Sequence, residues 1–470
     1  MRECSITRPS WQIETAFLLV MALLMPTSAS AQGAGSGPLS VNDAIQLALK
    51  NYPRITESRA RADAADAGIA LARTAYLPRL DLLWQENRAT RNNVFGLLLP
   101  QSVVPPISGP VLGTRSFDSV WGSAAGVQLS WDAVDFGQRK ANVDAARAQS
   151  SFAKAQTALT ELDVAAAAAD AFVTVLASDE VVRAAQANVD RLQVFGNAVR
   201  TLVGNQLRPG ADQSRADAET AIAKNQLSQA TLAAEVARAA LAEAVGLAGT
   251  TVELAAGGLM NVPQVLALGV ADLKSHPAAR AGLAAVEIVR AREHVFDRSY
   301  FPHVSFQSVF ASRGSGAEVP GLPLLGNGLW PRVPNWAAGV SVMFPAFDVF
   351  SVNAHKRVEA QNERAEGARY AQTIQTLTTE DARARALMKA AVDIAQNTPL
   401  ERQAATDAES RARARYENGL ASITEVAEAQ RLLSQAEADD RVARLGVWRA
   451  LLAAAQVRGD LKPFLDQIKP

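Results

Sequence analysis

Ser119 to Lys140 reads SVWGSAAGVQLSWDAVDFGQRK. In its first part Val127, Leu129 and Trp131 alternate with Gln128 and Ser130, the two-residue period of a strand with one apolar face. At Gln138 the texture changes. From there to Val203 the chain contains no Pro and one Gly, Gly196. At 1.5 Å per residue a helix over that span is about 100 Å long. No globular core accommodates such a rod, so it must lie against parallel neighbours along its length. A turn (Gly204 to Gly210) and a returning helix (Ala211 to about Gly246) complete a hairpin. Alanine makes up about a fifth of the 470 residues. It is the best helix former and packs closely, which suits long helices in contact.

The same plan is written twice. Leu49-Lys50-Asn51-Tyr52-Pro53 recurs as Leu273-Lys274-Ser275-His276-Pro277, and Tyr76-Leu77-Pro78 as Tyr300-Phe301-Pro302. At a second constant spacing Asp135 falls on Asp348, Asp212 on Glu425, Ala216 on Ala429 and Gly246 on Gly459. Ordered matches at fixed spacing mark a duplication. The first repeat spans 32–260, with strands at about 79–90 and 119–132 and a long hairpin at about 138–246. The second spans 261–470, with strands at about 303–313 and 337–348 and a hairpin at about 351–459. Pro-rich inserts, about Asn92 to Phe117 and Ser315 to Asn335, separate the strands. Val426, Ala429, Leu433 and Ala436 form a narrow coiled-coil seam. Met1 to Ala31 reads as a signal peptide, with the apolar run Ala16 to Met25 and the small residues Ala29 and Ala31 before a cleavage point.

Composition excludes other classes. Forty-seven basic and forty-seven acidic residues give no net charge, hence no electrostatic footprint for nucleic acid. The one Cys, Cys4, falls in the signal and allows no disulfide framework. His276, His294, His303 and His355 have no ligand spacing, and no phosphate loop or nucleophile elbow occurs. No enzyme, cofactor or metal is expected. Four strands per chain cannot close a barrel, which takes about eight, and an open sheet edge in lipid is very costly. Closure therefore calls for several chains. Trp84, Trp121, Trp131, Trp336 and Phe344 fit the aromatic girdles of membrane barrels. The fold class is mainly α with a transmembrane β-barrel part. The competing class is a soluble periplasmic coiled-coil adaptor or scaffold, which has no need of two aromatic strand pairs per chain.

The chain resembles the TolC-like outer-membrane efflux and secretion channels, the outer membrane factors, over essentially all of its mature length. The resemblance rests on the duplicated plan and on motifs. Trp131-Asp132-Ala-Val-Asp135-Phe136-Gly137-Gln138-Arg139-Lys140 is similar to the family's strand-to-helix junction, with Phe344-Pro345-Ala-Phe347-Asp348 as its twin. Arg415-Tyr416-Glu-Asn-Gly419-Leu420-Ala-Ser422-Ile-Thr-Glu425-Val426-Ala-Glu428 is similar to the second periplasmic turn. The first turn, Val203-Gly204 through Asp212, is read as two residues longer than the usual form.

The resemblance implies a homotrimer with one twelve-stranded barrel in the outer membrane of a Gram-negative bacterium and a tunnel of twelve helices in the periplasm. It implies a periplasmic adaptor protein, an inner-membrane transporter and outer-membrane lipid as partners. The implied function is the exit channel of a tripartite efflux system, with a type I protein secretion duct as the alternative. The hairpin tips hold the pore shut in the family. Glu425 and Glu428 match acidic constriction positions. On the resemblance they form a ring that favours cations and raises its own members' pKa through like-charge repulsion. Tyr416 matches a tyrosine that bonds to the neighbouring hairpin, with Asp212 as its partner. A basic residue often stands two positions after the turn glycine; here that position is Ala421, so closure relies on Tyr416 and on Arg415 or Arg208. Gly204, Gly210, Gly419 and Leu420 carry the turns and the adaptor contact.

Overall fold

The structure is a computed structural model and describes residues 38–92, 112–113, 115–263, 271–317 and 326–468. The chain divides into two units, residues 1–38 and 39–470, and all the described helices and strands lie in the second. The signal peptide, Cys4, most of the first insert and residues 318–325 of the second lie outside the described residues.

Helix α1 (Val41–Asn51) opens with Ser40 and Asp43 capping each other's backbone. Tyr52 separates it from α2 (Pro53–Thr74), which has Pro at its first position, where a missing N–H costs nothing. Strands β1 (Arg79–Thr90) and β2 (Ser119–Val134) follow. Helix α3 (Gln138–Gly204) runs for 67 residues and α4 (Gly210–Ala244) returns. The second repeat gives α5 (Pro277–Arg298), β3 (His303–Ser315), β4 (Val333–Met343), α6 (Val349–Glu417, 69 residues), α7 (Ile423–Val457) and a short α8 (Lys462–Ile468). Among the described residues no helix is long and apolar enough to cross a membrane.

The four strands form one antiparallel sheet in the order β1-β2-β3-β4, so β1 and β4 are its edges. Register places Leu82, Val127, Phe310 and Trp336 in one row across one face. Leu80, Trp84, Trp121, Trp131, Val340 and Val342 share that face, and all are exposed. The opposite face carries Gln128 and Gln307, both buried. Trp121 and Trp131 stand roughly 30 Å apart along β2 at about 3.3 Å per residue, so aromatics mark both ends of an apolar band. Phe344 is exposed just beyond β4.

Strand β4 departs from the expected span of 337–348. It starts earlier because Pro334 sits on an edge strand, where its missing N–H leaves no ladder bond unmade. It ends earlier because Phe344 to Asp348 makes tight turns, with Ala346 N–H on the Phe344 carbonyl at 2.9 Å and Asp348 N–H on that of Pro345 at 3.2 Å.

Two junctions tie the sheet to the long helices. Before α3, Asp135 accepts from the Gly137 amide and the Arg139 side chain, while Arg139 lies 4.9 Å over the Tyr76 ring. Phe136 and Gly137 take positive φ to make the corner. Asp348 caps α6 without a side-chain hydrogen bond, so the two junctions differ in mechanism. Phe136 stacks on Phe301 at 6.2 Å, bringing the two repeats together.

The largest apolar core surrounds Phe172 of α3, Trp448 of α7 and Phe464 of α8. Trp448 meets Phe464 edge to face at 5.9 Å and donates its ring N–H to the Asn261 carbonyl at 2.8 Å. Away from it, α3 and α7 are joined by ion pairs: Arg449 to Asp170 at 3.0 Å, Arg441 to Glu180 at 2.9 Å and Arg191 to Glu437 at 2.9 Å. The outer helices α4 and α6 bury few residues.

Each returning helix ends against the start of its own repeat. Gly246 and Gly459 close α4 and α7 with φ of +74° and +78°. A Cβ on Gly246 would lie 2.8 Å from that of Asn51, and one on Gly459 would lie 2.8 Å from the Pro277 ring. Both the left-handed backbone and the close contact forbid a side chain. Gly459→Ala is expected to cost about 2–4 kcal/mol. Gly446 lies inside α7 with open space around it, so Gly446→Ala should stabilise by up to about 1 kcal/mol. Thermal unfolding followed by far-UV circular dichroism checks both.

Candidate functional site at the hairpin tips

The two tips have the same length. Asn205, Gln206, Leu207 and Arg208 correspond to Asn418, Gly419, Leu420 and Ala421 at the offset that maps Asp212 onto Glu425. Their hydrogen bonds match as well. Gln206 and Leu207 donate to Val203 and Leu202, as Gly419 and Leu420 donate to Tyr416 and Arg415. The amides of Asn205 and Asn418 each reach back four residues, at 2.9 and 2.8 Å. This is a helix ending on a left-handed residue.

That register corrects the expected longer first turn. Gly204 is the last residue of α3, and Gly210 opens α4 behind Pro209. Neither has positive φ; the left-handed slot of the first turn belongs to Gln206, with φ of +59°. Gly419 fills the same slot in the second turn at +75°. As a landmark for the first turn, Gly204 stands two residues early.

Between the tips lies a small apolar cluster of Phe195, Val199, Ala216, Tyr416, Ala421, Ile423 and Val426. The Tyr416 ring is 5.6 Å from that of Phe195. Its hydroxyl donates to Asp212 at 2.9 Å. Burial, then the Asp212 hydrogen bond, push its pKa up to about 12. Arg208 crosses from the first turn, donates to the Tyr416 carbonyl and lies 4.3 Å over its ring. The basic residue absent at Ala421 thus stands at the equivalent position of the other repeat. Arg415 stays on its own turn, donating to the Leu420 carbonyl at 3.1 Å.

The acids are not bare. Glu425 closes a capping box with Ser422 and has Arg415 at 3.8 Å. Glu428 is paired with Arg431 at 2.6 Å. The hydrogen bond from Arg431, and then its charge, hold the Glu428 carboxyl below the usual range. Leu207 and Leu420 project at equivalent places and are 68% and 70% exposed. Leu207 is absent from the expected contacts, although the repeat offset points to it. Among the described residues no three His, Cys, Asp or Glu side chains are placed to hold a metal.

A family model described as outer membrane efflux protein matches residues 44–247 and 272–458. Among solved structures, the open state of the MtrE outer membrane channel of Neisseria gonorrhoeae is 20% identical, with a TM-score of 0.70 over 89% of both chains. The CmeC outer membrane channel of Campylobacter jejuni is 16% identical, with a TM-score of 0.71 over 89% of this chain and 85% of that one. The outer membrane protein VceC of Vibrio cholerae is 17% identical, with a TM-score of 0.70 over 89% and 96%. Among curated proteins none matches this chain.

The strained slot gives a direct test of the tip register. A left-handed conformation costs an ordinary L-residue about 1–2 kcal/mol. Gln206→Gly should therefore stabilise the first tip by up to about 1 kcal/mol, and Gly419→Gln should destabilise the second by a similar amount. Gly204→Ala should be close to neutral or stabilising. Urea unfolding of the three variants reads all three signs.

Proposed function

The chain belongs to the outer membrane efflux protein family, a family of the outer membrane, and on that premise we propose that three copies form the exit channel of a tripartite efflux system. The three four-stranded sheets close one barrel through the lipid. The long hairpins continue it as a tunnel across the periplasm. An adaptor protein meets the tips around Gly419, Leu420 and Leu207, and an inner-membrane transporter supplies the cargo. The channel conducts passively and no catalytic step is involved.

The observation that carries this reading is the pairing of an open sheet with very long hairpins on one chain. The apolar face of the sheet, with Trp121 and Trp131 at its two ends and Trp84 and Trp336 between them, suits hydrocarbon and its interfaces. Edges β1 and β4 are free to pair with each other in neighbouring copies. Such pairing removes unpaired backbone groups that lipid cannot satisfy.

The gate is assigned to the tips. Tyr416, Asp212 and Arg208 hold the two hairpins together, and each link is of the order of 1 kcal/mol. A gate held by such links opens under a modest push from a docked partner. Glu425 stands on the adjoining first turn of α7 and Glu428 on the second, and both face the constriction. Because Arg431 offsets Glu428, the cation preference of the pore is set by the balance of the two.

Single-channel recording in planar bilayers tests the assignment. Arg208→Ala combined with Tyr416→Phe should raise conductance several-fold. Glu428→Gln should weaken cation preference, and Arg431→Gln should strengthen it. An unchanged reversal potential in both single variants would remove these side chains from the conducting path.

A further inference from the structure

We infer that His276 is a pH-sensitive splice between α7 and α5. The carboxyl end of α7 meets the amino end of α5; the first amides of α5 have no partner within the helix, and the Gln456 carbonyl, which already accepts the Gly459 N–H at 2.9 Å, has a second lone pair to offer. The imidazole serves both. Its Nδ1 accepts the Ala278 N–H at 3.1 Å, and its Nε2 lies 3.2 Å from the Gln456 carbonyl. The first contact requires an unprotonated Nδ1, and the second is a hydrogen bond when Nε2 carries the proton. The neutral ring with its proton on Nε2 therefore satisfies both helix ends at once. Gly459 fits against this ring, since a Cβ there would lie 3.0 Å from His276 Cδ2. The side chain is buried, with 5% of the residue's surface exposed.

Protonation breaks the arrangement. A second ring proton, on Nδ1, turns the acceptor of the Ala278 amide into a donor. It also places positive charge at the positive end of the α5 dipole. Groups on three other elements bear on the ring. Asp163 of α3 and Glu380 of α6 favour the cation, as does the Gln456 carbonyl of α7. Arg369 of α6 lines the cavity of about 770 Å3 that these residues share, and Arg54 of α2 acts on Asp163. Burial opposes the cation and outweighs the attractions, holding the imidazole below the ordinary histidine range.

The sign comes from linkage. A base whose pKa is lowered by the fold is bound less tightly by protons in the joined state than in the opened one. The joint is therefore firm above the unperturbed histidine pKa of about 6.5 and weakens as pH falls below it. The first repeat lacks the device. Its equivalent residue, Tyr52, caps α2 with no side-chain hydrogen bond. Acidification thus acts on one repeat, at the joint between the returning leg of its hairpin and the helix that leads to its sheet.

Hydrogen–deuterium exchange on the full detergent-extracted protein tests this between about pH 5 and 8, on either side of the histidine range, with rates normalised to unstructured peptide at each pH. Exchange in the segment beginning at Ala278 should rise several-fold as pH falls below about 6.5. His276→Asn keeps a capping acceptor and removes the titration, so its normalised exchange should be flat. Asp163→Asn leaves the cap intact and removes a carboxylate that favours the cation, so the rise should move to lower pH. A flat wild-type profile, an unchanged rise in His276→Asn, or no movement in Asp163→Asn would each overturn the splice.

Discussion

A helix of 67 residues has no way to bury itself. Its apolar stripe must be covered along about 100 Å, and only other helices of similar reach can do that. The rest of the chain is arranged to supply such cover. Toward the tips the return helix α4 covers one side of α3 and α7 from the second repeat the other, while α2 and α5 lie along the part nearer the sheet. Alanine dominates the contacts, with Ala165, Ala166, Ala168 and Ala169 all buried on α3, because small side chains let backbones lie close. The outer helices α4 and α6 keep apolar residues such as Ile222, Leu232, Leu387 and Ile394 exposed. In one chain the cover is incomplete, just as the sheet is incomplete at β1 and β4. On the proposed assembly both deficits are met by the same operation, the addition of further copies around an axis.

Much of this is legible in the sequence, for physical reasons. The long helices show because Pro and Gly are so disruptive within a helix that their absence over about sixty residues is informative. The exceptions, Gly196 in α3 and Gly367 and Pro399 in α6, lie within those helices without ending them. Strand β2 shows because alternation of Val127, Leu129 and Trp131 has only one geometric meaning. The register of the first tip is misread when a glycine is made to mark the turn. Glycine makes a left-handed residue cheap but is not required for it, and Gln206 occupies the slot. The repeat offset, which is a global constraint, is a better guide than the local residue.

The pairings of charge are not legible, because they join residues far apart in the chain. Nothing near Glu180 announces Arg441 as its partner, and Arg208 comes beside Tyr416 in the sequence only through the family resemblance, as one of two candidates with Arg415. The acids at the second tip differ, since their partners are near in sequence: Arg431 stands three residues after Glu428, and Arg415 stands ten before Glu425. Glu425 and Glu428 read as free carboxylates until the fold sets Arg415 and Arg431 beside them. A zero net charge is thus a sum over local pairs as well as over the whole chain, and it leaves less local acid at the tip than a count of carboxylates suggests.

The distribution of these links decides where the molecule yields. Glu180 has 3% of its side chain exposed, and Arg441 reaches it from α7. Parting α7 from α3 removes one of the two arginines on that carboxylate, the other being Arg183 of α3 itself, and leaves the buried charge less fully compensated. Asp170 with Arg449 and Glu437 with Arg191 extend the seam along α3 and α7. At the tips the bonds are of another kind: one tyrosine hydroxyl, one arginine over a ring and onto a carbonyl, and a small apolar cluster. Each is worth about 1 kcal/mol and is made by groups that water can satisfy once exposed. The seam therefore keeps the two repeats together through the body, and the tips are where the same two repeats part at least cost. On the proposed reading of the tips as a gate, opening is confined to one end because the strength of the contacts between the hairpins falls off toward that end.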